Sequence, residues 1–273
     1  MEKNRLDLVL VEKGLVETRA LAQRLIMAGE VRVDGQVVIK PATKVSEAAH
    51  LEVVKGPPFV SRGGEKLQGA LTAFNRLELN QLVCADVGAS TGGFTDCLLQ
   101  HGASKVYAID VGYGELNWNL RNDPRVVVME RTNARNVQHL PEEVQLVTID
   151  ASFISLRILL PVVANWFSAD RGEVIALIKP QFEAGRADAA KGGGVIRDPE
   201  VHISVLREVL SFAVQTGYAV KGLIRSPLLG PKGNVEFLVQ LERAKDSVSI
   251  DLEDAIGQVT LTSAEHEALI QED

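Results

Sequence analysis

Cysteine is scarce. Two residues in a chain of 273 cannot build a disulfide framework. Cys84 falls in a short apolar run and Cys97 in the helical stretch after it, so both read as apolar fillers in a reducing compartment, with no disulfide partner. Long apolar runs are also missing. None approaches the roughly 18 residues of a membrane span, and MEKNRLDLVLVEKG is interrupted by Glu2, Lys3, Arg5, Asp7 and Glu12, which leaves no apolar region for a signal peptide. A cytoplasmic protein with no membrane partner is the expectation. A basic excess is lacking too: the net charge is −7, which supplies no bulk field for a polyanion. The deficit is local, however. Residues 242–273 hold nine acidic side chains against Arg243 and Lys245, and residues 1–60 hold nine basic against eight acidic. Local basic faces therefore remain available.

What is present is ordinary for a soluble globular chain, with 46% hydrophobic and 24% charged residues and length enough for one large α/β domain and a smaller one. The larger domain is organised around LVCADVGASTGGF, residues 82–94. Leu82–Ala85 reads as a buried strand ending at Asp86. Gly88, Ala89, Ser90, Thr91, Gly92 and Gly93 form a small-residue loop, and a helix opens at Phe94. Strand, glycine loop and helix is how an α/β sheet brings backbone close to a nucleotide-like ligand. A second strand, Val106–Ile109, ends at Asp110, placed to bind ribose hydroxyls. Ser90 stands where the dinucleotide fingerprint needs its second glycine, which speaks against a pyrophosphate ligand.

Alternation continues. Strands are expected at 125–129, at 145–149 ending at Asp150, and at 173–178 ending at Lys179-Pro180. Helices are expected at 156–167 and, opened by Asp198-Pro199, through Gly217. Residues 219–226 and 235–241 read as a final antiparallel pair around LLGPKGN. This pattern implies a largely parallel sheet with helices on both faces and a ligand at the carboxyl ends of its strands, where Asp86, Asp110, Asp150 and Lys179 all fall. Residues 183–197 are glycine-rich and follow Lys179 directly, as a flap or as a plain connection. Ser61 is placed to cap a helix carrying Lys66, Leu67, Ala70, Leu71 and Phe74.

Residues 1–55 read as a separate module: a helix over 5–13, a second over 19–28 capped by Thr18, a hairpin turning at Asp34-Gly35, and a weaker strand near 50–54. Residues 56–60 are a linker, 61–245 the α/β domain, and 246–273 an acidic tail.

These motifs carry family resemblances. DVGASTGGF resembles the first motif of S-adenosylmethionine (SAM) methyltransferases, a Rossmann-like fold whose sheet has one antiparallel strand. It implies SAM as cofactor, bound by Asp86, Gly88, Ala89, Ser90, Gly92, Gly93, Phe94 and Asp110, with Asn133 and Ala134 near the adenine. The N-terminal module resembles the small α+β RNA-binding domain named for ribosomal protein S-four, which implies an RNA face made by Arg5, Arg19, Gln23, Arg24, Arg32 and Lys40. Lys66, Asp150, Lys179 and Glu236 resemble the K-D-K-E tetrad of ribose 2′-O-methyltransferases of the RrmJ/FtsJ type. Together with SRGGEKL, IDASFISL, IKPQFE and NVEF, they make the chain similar to the TlyA family through about Leu241. That resemblance implies methylation of a cytidine ribose in ribosomal RNA or ribosomal subunits, with Lys179 as base, Lys66 orienting the oxygen, and Asp150 and Glu236 positioning the lysines. No residue is assigned to a metal. Two other readings stand beside methylation. One is a non-catalytic RNA-binding ribosome factor with a vestigial methyltransferase domain, against which the intact tetrad argues. The other is the haemolysin label such proteins have carried, which would need a secreted chain with an amphipathic or spanning segment, and none is evident. Residues 150–153 read Asp-Ala-Ser-Phe rather than the Asp/Asn-Pro-Pro-aromatic run of amino-methylating enzymes. Neither cysteine is placed as a nucleophile for methylation at a pyrimidine carbon.

Overall fold

The computed structural model describes residues 3–54, 56–168, 171–185 and 193–260, in two compact units, 1–58 and 59–273. In the first unit, β1 (Lys3–Arg5) leads directly into α1 (Leu6–Glu12), so the first helix is shorter than its sequence suggests. Strand β1 pairs antiparallel with β4 (Lys44–Ser46). Helix α2 (Arg19–Met27) opens where expected, with Leu21 N donating to Thr18 Oγ1 at 3.2 Å. Strands β2 (Val31–Val33) and β3 (Gln36–Val37) form the hairpin, and β5 (Leu51–Val53) pairs on the other side of β2. Asp34 and Gly35 both take positive φ, 50° and 80°, the mirror-image turn that matches strand twist. Leu6, Val9, Leu10, Ala22, Ile26 and Val31 fill the small core.

The second unit opens with α3 (Arg62–Ala73). Ser61 occupies its N-cap position, yet its side chain makes no capping hydrogen bond. A seven-stranded sheet follows, formed by β6 (Val83–Val87), β7 (Lys105–Ile109), β8 (Val126–Met129), β9 (Leu146–Ile149), β10 (Arg171–Ile178), β11 (Ala219–Arg225) and β12 (Phe237–Ala244), in the spatial order β11-β12-β10-β9-β6-β7-β8. Only β12 runs against its neighbours, as expected of the fold. Helices α4 (Gly93–Gln100), α5 (Trp118–Arg121), α6 (Leu156–Val163), α7 (Pro180–Glu183) and α8 (Pro199–Gln215) connect the strands. Two hydrophobic clusters form the core, one dominated by α6, α8 and the β-strand residues facing them, the other by α3 and α4.

The acidic tail is corrected in its first half. Residues Leu252–Thr260 form α9, which buries Ala255 and Ile256. The preceding chain is tied to β11 by Ile250 N donating to Val220 O at 2.9 Å and Val220 N donating to Ser249 Oγ at 3.0 Å. Residues 261–273 and the middle of the 183–197 segment lie outside the described residues. No helix among the described residues is long and apolar enough to cross a membrane.

Candidate active site

Sheet register assembles the site. The paired residues Val87↔Ile109 and Val87↔Ile149 leave Gly88, Asp110 and Asp150 one step past the same carboxyl edge. On the other side, Ile178 pairs with Phe237 across the antiparallel ladder. The next step of that ladder faces Lys179 with Glu236. The reversed strand thus brings Glu236 to the same end of the sheet as Lys179, although each takes a different ionic partner.

Four side chains form two ion pairs there. Lys66 Nζ donates to Glu236 Oε2 at 2.6 Å, with the two side chains 11% and 0% exposed. Lys179 Nζ lies 2.6 Å from Asp150 Oδ1, with 8% and 22% exposure. That contact is ionic but misaligned for a hydrogen bond, so Asp150 Oδ1 accepts none among the described residues. Lys179 Nζ donates instead to Ser152 Oγ at 3.1 Å. The direct ionic contact of each lysine is a carboxylate, so the four residues are neutral as a set. Isolated buried charge is costly, and pairing offsets that cost.

Two clefts share Gly88, Ser90 and Asp150. One, of about 260 Å³, also presents Lys66, Ala89, Gly93 and Phe94. The other, of about 340 Å³, presents Asp110, Glu115, Asn133 and Ala134, with Ile154 and Leu159 as an apolar wall. Among the described residues no lysine or arginine lines the second cleft, so they offer no cation there to a pyrophosphate. Its acceptors suit a diol or a cationic group, which are features of SAM.

Two of the expected loop residues lie away from both clefts. Asp86 is fully buried and touches neither cleft. Its carboxylate accepts from Thr95 Oγ1 at 2.7 Å and Thr148 Oγ1 at 3.0 Å, and burial pushes its pKa up to about 7. It braces the loop from beneath. Gly92 also lines neither cleft, because its outward direction meets Leu116 and Leu120. At Gly88 and Gly93 the protein itself leaves no room for a side chain. A Cβ on Gly88 would lie 2.6 Å from the Asp150 carbonyl oxygen, and one on Gly93 would lie 2.3 Å from Ser61 Oγ and 2.8 Å from Gly64 N. All three distances are too short for a Cβ, so the loop is pressed between the end of β9 and the start of α3. Ser90 takes a left-handed φ of 48°, a sparsely populated region for a non-glycine residue. Asp110 holds it there, accepting from Ser90 N at 2.8 Å and from Gly112 N at 2.7 Å. Asn133 lines the cleft while its Oδ1 accepts from Arg135 N at 3.2 Å.

Sequence reasoning passed over three neighbours. Gln181 Nε2 donates to Glu236 Oε1 at 3.2 Å, extending the Lys66–Glu236 pair toward α7. Ser152 holds Lys179. Phe153 takes a φ of 63°, is 89% exposed and packs on Phe182 with ring centroids 4.7 Å apart. The motifs IKPQFE and IDASFISL contain all three, but only tertiary contact identifies their partners. The two cysteines are buried and free. Burial raises the Cys84 thiol to about 12, which makes it inert as a nucleophile.

In the first unit, Arg24, Arg32 and Lys40 are exposed. Arg5, Arg19 and Gln23 are not independent, because all three donate to the buried carboxylate of Asp7.

Comparison with known proteins follows the same division. Residues 4–51 match the S4 domain, and residues 59–243 match the FtsJ-like methyltransferase model. The 16S/23S rRNA (cytidine-2′-O)-methyltransferase TlyA of Mycobacterium tuberculosis is 46% identical over 258 residues, covering 92% of this chain and 95% of that protein. Hemolysin A of Brachyspira hyodysenteriae is 42% identical over 86% of this chain and 98% of its own. A solved structure of a candidate hemolysin from Streptococcus thermophilus superposes with a TM-score of 0.72 at 42% identity, covering 100% of this chain and 98% of that one. The α/β unit with its paired lysines and carboxylates, and the model that spans it, place this chain in the FtsJ-like methyltransferase family.

Proposed function

We propose that this protein transfers the methyl group of SAM to the 2′-hydroxyl of a cytidine ribose in ribosomal RNA, as the name of its Mycobacterium tuberculosis relative describes for that protein. The observation that carries the reading is the convergence of the Lys66–Glu236 and Lys179–Asp150 pairs on the edge where two clefts share Gly88, Ser90 and Asp150. When bound, SAM supplies a methyl group activated by a sulfonium. Asp110 and Asn133, with the apolar wall at Ile154 and Leu159, are suited to its ribose and adenine.

The chain must then align one oxygen and manage one proton. Lys179, in its neutral form, takes the hydroxyl proton at Nζ, held in place by Ser152 and Asp150. Lys66 faces the oxygen from α3 and stabilises its developing charge, while Glu236, itself fixed by Gln181, sets the position of Lys66. Phe153 offers an exposed ring on which a nucleotide base can stack. The first unit supplies the RNA affinity through its basic residues, and a ribosomal substrate implies a cytoplasmic protein.

The test is transfer from labelled SAM to ribosomal RNA followed by mapping of the modified nucleotide. A 2′-O-methylated cytidine is expected. Methyl on a base nitrogen or carbon, or no transfer to RNA, would overturn the proposal.

A further inference from the structure

In the N-terminal unit, Asp7 lies at the start of α1 with a side chain 0% exposed. Four donors converge on it. Arg5 approaches side-on, with Nε on Oδ1 at 3.0 Å and Nη2 on Oδ2 at 3.0 Å. Arg19 Nε reaches Oδ2 from α2 at 3.0 Å, and Gln23 Nε2, one turn further on, reaches the same oxygen at 2.9 Å. The cations face the other way: the side chains of Arg5 and Arg19 are 40% and 53% exposed. Arg19 spends only its Nε on Asp7. Both of its terminal nitrogens, and Nη1 of Arg5, have no partner among the described residues. A guanidinium is a planar fork suited to bidentate contact with phosphate, and here two forks are fixed by their inner edges with their outer edges presented to solvent.

We infer that Asp7 is a positioning residue that sets Arg5 and Arg19 as a two-arginine clamp for the phosphate backbone of RNA. The inference rests on the RNA-binding reading of this unit and names what organises it. Exposed arginines normally lose rotamer freedom when they engage a phosphate. Here the buried carboxylate has already removed that freedom, so the clamp is preorganised. The guanidiniums in turn hold the Asp7 carboxyl well below the usual carboxylate range, Arg5 foremost, so the anchor stays ionised at any working pH. Gln23 becomes a support for the anchor rather than a phosphate contact.

The sign of one substitution separates this from simple charge attraction. Asp7→Asn keeps the shape and removes a negative charge from a face that meets a polyanion. Charge counting alone predicts tighter binding. Positioning predicts the reverse, a loss of about tenfold or more in affinity of the full-length protein for protein-free ribosomal RNA at fixed salt. In a double-mutant cycle with Arg19→Ala, the two losses should be strongly non-additive, because the second substitution removes what the first had already released. A purely structural role for Asp7 would give additive losses. Should Asp7→Asn fail to fold by circular dichroism, Arg19→Lys is read alone. It keeps the charge but has no fork, so it should lose nearly as much affinity as Arg19→Ala. Tighter or unchanged binding by Asp7→Asn, additive losses, or full affinity in Arg19→Lys would each overturn the inference. If Arg19→Ala itself leaves RNA affinity unchanged, the RNA-binding reading of this face fails instead.

Discussion

Both units hold basic side chains against carboxylates, and they do so in opposite senses. Around Asp7 the carboxylate is sealed and the arginines reach outward. Around Lys66 and Lys179 the ammonium groups are sealed too, together with Glu236. The residue types match the difference. Guanidinium is weakly hydrated, always charged and forked, which serves recognition of an anion arriving from solvent. A lysine can lose its proton in a suitable setting, which serves chemistry on an atom brought to it. An ion pair is therefore informative about role only when the exposure of each partner is known.

The widest break in that comparison is expected at Lys179. Lys179→Arg keeps a cation for Asp150 but removes the proton acceptor, so single-turnover methylation with saturating substrates should fall by about 10²–10⁴-fold while SAM affinity persists. A near-normal rate would pass the role of base to Lys66.

Asp86 comes next. Burial raises its pKa to about 7 from 3.8, so the folded state binds a proton that the unfolded chain has released. Stability should fall as pH rises between those values, by no more than about 4 kcal/mol, with the full penalty present above pH 7. Asp86→Asn should abolish this fall and be the more stable form at pH 8 in denaturant titrations. Its SAM affinity should stay within about threefold, because a neutral acceptor still bonds Thr95 and Thr148.

A third, smaller effect concerns Asp110. Asp110→Ala removes a charge-assisted acceptor, and it also releases Ser90 N and Gly112 N. Calorimetry should show SAM binding weakened by about 1.5–3 kcal/mol. Unchanged affinity would move the ribose site elsewhere.

The smallest effect sharpens the contrast within the RNA face. Arg24 has no anchor among the described residues. Arg24→Ala should reduce the salt slope of RNA binding by about one and cost less affinity than Arg19→Ala, whose fork is preset. Equal losses would mean that anchoring contributes nothing.

Much of this was legible in the sequence, for physical reasons that also mark its limits. The Asp34-Gly35 hairpin, the Thr18 cap and the parallel strands of the large sheet rest on local signals of turn chemistry and apolar runs. Asp150 and Lys179 were legible as strand-end residues, whereas Lys66, on a helix, and Glu236, at the start of a strand, joined them only through the family resemblance. Strands β1 and β4 were not legible, since three residues each carry no usable alternation. Helix α9 was hidden by Asp251, Glu253 and Asp254, which made its start resemble a tail although acidic side chains favour a helix N-terminus. The surroundings of Asp86 were not legible, because a strand-end carboxylate reads the same whether it faces a ligand or two threonines. Asp7 was not legible for the converse reason: a lone acid among Leu6, Val9 and Leu10 looks solvated until Arg19 and Gln23 of the second helix are seen to close over it beside Arg5.

The reversed strand β12 also bears on how this chain can change over time. Lys179 and Glu236 lie one residue beyond the Ile178–Phe237 pair, at the end of a ladder that continues unbroken to Arg171 and Ala244. Insertions elsewhere between the two residues, at surface turns away from this ladder, leave that row intact. A one-residue deletion inside Phe237–Ala244 does not, since a slip of one reverses the face of every side chain beyond it. Divergence in β12 should therefore proceed by substitution and not by length change, while the surface turns of the same half of the domain are free to grow and shrink.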